Sequence, residues 1–150
     1  MELFSLNGYN GEHISLTLKE VLGFPDKTCY EGGYDIVCTL EIVVGCYHVQ
    51  CDKYYSATGA LYRFADELKR CYDSLEGSAK YTLLLENDLV FEVTMTGCGH
   101  AVVAGTFQER PDLGNIFTFE MKTDQSCFRS VIQDIERIKR EYGGMRGINQ

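Results

Sequence analysis

Residues 13–19 alternate, with Ile14, Leu16 and Leu18 on one face and Ser15, Thr17 and Lys19 on the other. That period of two predicts a half-buried strand. A second run, 36–44, puts Ile36, Cys38, Leu40, Ile42 and Val44 on one face. Gly45 interrupts it, and 46–53 reads as the returning arm of a hairpin. Between the runs, GFPDKTCYEGGY at 23–34 is rich in turn formers and predicts a loop.

The period then changes. Leu61, Phe64, Leu68, Cys71 and Tyr72 fall at helical spacing, with Arg63, Asp66, Lys69, Arg70 and Asp73 mostly opposite, and Glu76-Gly77 supplies a stop. Strand patterns return at 79–85 and 89–96 around the turn Glu86-Asn87-Asp88, then at 100–107 and 116–122, with a loop at 109–115. A last amphipathic helix carries Phe128, Val131, Ile132, Ile135, Ile138 and Tyr142. Asp124 or Ser126 can cap it, and Gly143-Gly144 ends it.

A shift of 67 residues lays Leu61, Phe64, Leu68 and Cys71 on Phe128, Val131, Ile135 and Ile138. The chain therefore reads as two β-β-β-α-like halves of one α+β domain spanning residues 1–150. The expected architecture is a mainly antiparallel sheet of seven to eight strands with both helices on one face.

Composition narrows the function. A net charge of −8 argues against nucleic acid and anionic membranes as partners. Residues 1–51 hold seven acids and two bases, whereas residues 125–150 hold three acids and five bases. The acidity thus lies in the strands and loops, a surface that attracts a basic partner. Of ten tyrosines, Tyr30, Tyr34, Tyr47, Tyr54 and Tyr55 concentrate in the acidic first third, and tyrosine beside acid suits an interface. Seven scattered cysteines without a Cys-x-x-Cys pattern suggest a reducing cytoplasm. The first residues show no basic region followed by an apolar core, so no secretory leader is expected.

The stretch TGCGHAVVAGTF at 96–107 is the strongest candidate for chemistry. Its glycine spacing precedes a β-rich run rather than a helix, which disfavours a phosphate loop. Cys98 and His100 lack a recognisable orienting group, which disfavours a nucleophile. The pattern Gly-Cys-x-His occurs twice, giving Cys46, His48, Cys98 and His100 as a possible zinc or small-molecule site. Each copy falls where a hairpin turn is predicted, and the glycines need no metal to explain them. No cofactor, metal or catalytic residue is expected.

Five segments together carry a resemblance. They are GFPD before the acidic aromatic loop, LEIVVGCYHVQ, LYRFADELKRCYDSLEG, LVFEVTMTGCGHAVVAG and FTFEMKTDQSCFRSVIQDIERI. In this order they resemble the WapI-type immunity proteins, bacterial antidotes to contact-dependent toxins of the wall-associated protein A kind. The resemblance implies a cytoplasmic, stoichiometric inhibitor that is not an enzyme and binds a basic toxin domain, commonly a nuclease. Asp26, Glu31, Tyr34, Asp35, Glu109 and Asp112 are the expected partner-binding residues: the acids for steering and charge-assisted hydrogen bonds, Tyr34 as an apolar anchor. The protein itself is expected to be a monomer or a homodimer.

Overall fold

The structure is a computed structural model that describes residues 1–149. Its first half is a four-stranded antiparallel meander: β1 (Glu2–Asn7), β2 (His13–Leu22), β3 (Asp35–Val44) and β4 (Tyr47–Ala57), in that order across the sheet, followed by helix α1 (Thr58–Ser74). Its second half repeats the plan with β5 (Ser78–Tyr81), β6 (Leu89–Gly97), β7 (His100–Phe107) and β8 (Phe117–Asp124), then helix α2 (Phe128–Tyr142).

The α+β class, the antiparallel strands and the two helices are as expected. The eight strands, however, form two sheets of four rather than one. The break falls where α1 separates β4 from β5, and α1 itself packs along β5. The first half also has a strand that alternation does not predict. In β1 a register shift between Glu2 and Phe4 turns both Leu3 and Phe4 inward, so the apolar residues are adjacent instead of alternate.

The halves interlock. The helix of the first half packs on β5 of the second sheet, the helix of the second half packs on β1 of the first, and the two helices meet. The four positions related by the 67-residue shift are all buried in both helices. Phe64 on α1 sits at the junction, with ring centroids 6.0 Å from Phe4, 6.2 Å from Tyr81 and 5.2 Å from Phe91. Buried side chains from both sheets and both helices thus form one continuous cluster. Cutting Phe64 back to alanine would cost about 4 kcal/mol through lost transfer energy and the cavity left behind.

Two turns explain features of the sequence. In the β6–β7 hairpin, Cys98 (φ 55°) and Gly99 (φ 81°) are both left-handed, the pairing that a type I′ turn requires. Gly59, in the first turn of α1, lies so close to loop 23–34 that a Cβ there would come within 2.5 Å of the Glu31 and Gly32 carbonyl oxygens. The loop is therefore packed directly on the start of the helix. Tyr34 completes that junction: its N–H donates to Thr58 Oγ1 at 3.0 Å and its carbonyl accepts from the Thr58 N–H at 2.9 Å. Those contacts satisfy a helix start that has no side-chain cap of its own.

Candidate partner-binding face

Loop 23–34 holds four of the six residues expected to bind a partner or adjoins them, and the structure separates their roles. Tyr34 is fully buried. Its hydroxyl donates to the Pro25 carbonyl at 2.8 Å and accepts from the Ile148 N–H at 3.0 Å. It therefore ties the loop to the C-terminal tail and is not an exposed anchor. Glu31 is also buried. One carboxylate oxygen takes Arg63 Nη2 at 2.7 Å, and the other takes the backbone N–H of Leu84 at 2.7 Å and of Leu85 at 3.3 Å. A turn-rich, polar loop reads as solvated, so neither burial is visible in the sequence. The polar atoms of both side chains are engaged by internal hydrogen bonds that shape the surface.

What they build is a slot of about 400 Å3 between loop 23–34, the end of β4 and loop 82–88. Leu22 and Leu83 give it an apolar base. Tyr30, Tyr55 and Leu85 stand around it with exposures of 74%, 51% and 70%. Asp35 and Glu86 add carboxylates, and no lysine or arginine lines it among the described residues. Exposed aromatic and aliphatic groups grouped around a hollow are the usual mark of a docking site. The Cys29 thiol also faces the slot. Burial, and then the charge of Asp35, pushes its pKa up to about 11, so it stays protonated and is no nucleophile.

Leu85 and Glu86 also line a neighbouring hollow with Asp88, Gln108 and Pro111. Here the Gln108 N–H donates to the Asp88 carbonyl at 2.8 Å and joins loop 82–88 to the loop after β7. Asp88 has its pKa raised by burial and then by the charge of Glu86. Glu109 and Asp112 are exposed on that loop, Glu109 with an oxygen 3.9 Å from the Cys51 thiol and Asp112 paired to Arg110 at 2.7 Å. Asp35 thus lines the slot, whereas Glu109 lines a separate hollow with Phe107, Asn115 and Phe117, and Asp112 lines neither of the two linked ones. Asp26 is exposed but sits against Asn149, at 3.4 Å, and lines neither.

The turn residues Glu86 and Asp88 and the exposed rings of Tyr30 and Tyr55 are at the hollows, whereas Tyr34, the tyrosine expected at the interface, is buried. One signal could have found the site. The run Leu83-Leu84-Leu85 does not alternate, and two of its leucines end up exposed, at 56% and 70%.

The paired Gly-Cys-x-His motifs do not gather. Among the described residues no three His, Cys, Asp or Glu side chains stand where they could hold one metal ion. His48 bonds to Glu41 at 2.9 Å within the first sheet, and His100 faces the Tyr9 hydroxyl at 3.5 Å on the second. Cys46 and Cys98 are exposed and sit at the tips of different hairpins.

No helix among the described residues is long and apolar enough to cross a membrane. A protein-family model described as the immunity protein WapI-like family matches residues 5–143. A search of the curated proteins finds no match.

Proposed function

The chain belongs to the immunity protein WapI-like family, and we propose that it neutralises a cognate toxin domain by binding it one to one through the face just described. The partner is a basic domain, a nuclease in this reading, met in the cytoplasm of the cell that carries the antidote. The protein makes and breaks no bonds of its own.

The observation that carries the reading is the exposure of Tyr30, Tyr55 and Leu85 beside Asp35, Glu86 and Asp88 around two adjoining hollows. A nuclease presents cationic groups to phosphate. A protein with a net charge of −8 is drawn toward that surface and competes for it. Charge supplies the approach, and the exposed rings and leucines supply the desolvated contact that holds the complex. A stable pair of this kind buries on the order of 1,600 Å2 in total, which reaches from the slot to loop 109–115.

Calorimetric titration of the full chain with the toxin domain encoded beside it tests this. The expected result is a stoichiometry of one and a dissociation constant on the order of nanomolar, with toxin activity lost at equivalence. No heat and no inhibition with both proteins near about 10 μM would overturn it.

A further inference from the structure

We infer that the slot between Tyr30 and Tyr55 receives one arginine side chain of the partner, its guanidinium held by the two rings and the carboxylates of Asp35 and Glu86. This deepens the proposed function and rests on it for the identity of the partner as a protein.

The shape and chemistry of the slot select the occupant. Its base is aliphatic, from Leu22 and Leu83, and suits the methylene stem of a long cationic side chain. Its rim has two tyrosine rings, 74% and 51% exposed, whose aromatic surface is accessible to an incoming group. A planar, weakly hydrated guanidinium stacks on such faces and still forks to a carboxylate, whereas an ammonium is a hydrated point charge. Asp35 and Glu86 are exposed and form no ion pair among the described residues, and Asp35 meets only the protonated Cys29 thiol, so both carboxylates remain open to a cation. The third acid of the slot, Glu31, is already satisfied by Arg63 and the Leu84 and Leu85 amides. It holds the walls at a fixed spacing instead of competing for the ligand. A pre-formed slot of about 400 Å3 needs little ordering when filled.

The test needs no toxin. Uniformly 15N-labelled full chain is titrated with Nα-acetyl-arginine amide, with the uncharged citrulline counterpart and with Nα-acetyl-lysine amide. The expected result is a saturable shift of the Tyr30, Asp35, Tyr55 and Glu86 amides by the arginine probe, with a dissociation constant on the order of millimolar. The citrulline and lysine probes should bind about ten-fold more weakly or worse. Asp35→Asn with Glu86→Gln, and separately Tyr55→Leu, should each abolish saturation while leaving the rest of the spectrum in place. Equal shifts from all three probes, shifts centred elsewhere, or none at all overturn the inference. Those failures would leave toxin binding standing, because the calorimetric titration decides that separately.

Discussion

Glu31 and Arg63 are joined twice. Arg63 Nη2 meets the Glu31 carboxylate at 2.7 Å, and Nη1 meets the Glu31 carbonyl oxygen at 2.6 Å. The glutamate side chain is only 10% exposed, so the pair is a fixed joint between loop 23–34 and α1. The second carboxylate oxygen extends the joint to loop 82–88. Three segments that are distant in sequence are therefore aligned by one side chain, and the slot exists because of it.

Removing the Glu31 side chain leaves two backbone N–H groups without their acceptor and Arg63 with only the Glu31 backbone carbonyl. Glu31→Ala should cost about 2–3 kcal/mol of stability, since breaking one partner of a shielded pair strands the other. Urea unfolding measures this, and the melting temperature should fall by roughly 5–10 °C for a chain of this size.

Tyr34→Phe keeps the buried ring and removes only the hydroxyl that links Pro25 to Ile148. A loss of about 1–2 kcal/mol is expected for the two hydrogen bonds. Amide exchange at Ile148 should speed up well before global unfolding, while a surface role for Tyr34 would leave that exchange unchanged.

Glu41 lies between two histidines, 2.7 Å from His13 and 2.9 Å from His48. Burial works against the His13 proton, but the Glu41 hydrogen bond, the Gly11 carbonyl and the Glu41 charge outweigh it and raise its pKa. The hydrogen bonds from His13 and His48 lower that of Glu41. The histidine contribution is complete below its unfolded pKa of about 6.5 and is lost as pH rises through the raised value. The glutamate contribution is complete above its unfolded pKa of about 4.3 and is lost as pH falls through the lowered one. The triad therefore stabilises most between those two limits. Glu41→Gln should destabilise the protein more at about pH 5.5 than at about pH 8, as read by unfolding free energies at both.

Asp88 is the opposite case. Burial and the neighbouring Glu86 raise its pKa, so the ionised form is disfavoured in the fold. That cost is absent below the unfolded aspartate pKa and appears as pH rises past it. Asp88→Asn should raise the melting temperature of the free protein at neutral pH by about 1–2 °C, with the gain vanishing near about pH 3. The same variant should bind a basic toxin domain several-fold more weakly. That opposition between stability and binding is the signature of charge held for a partner.

The sequence is legible where a single period governs. The extent of β3 and the apolar stripes of both helices follow directly from their spacing, because one face of each meets the core. Legibility fails where geometry breaks the period. The register shift in β1 hides a strand, and the pairing of β5 ends at Tyr81 although the apolar run continues to Leu85. It fails again where a long-range partner decides burial. Nothing local distinguishes Glu31, whose cation lies 32 residues away, from Asp35, which stays exposed. The acidic character of the face was readable from charge counts. Which tyrosines stand exposed around the slot was not, since that depends on how loop 23–34 is stapled to α1.

One face, and no other, is proposed to capture a cationic protein. Charge reversal at Asp35, Glu86 and Glu109 to lysine, set against reversal at the exposed helical acids Asp73, Glu136 and Glu141, tests it with the net charge matched. The first triple variant should lose at least about 100-fold in affinity for the toxin domain, and the second should stay within about three-fold of the unmodified protein. Equal losses from both triples, or a larger loss from the helical one, would contradict it.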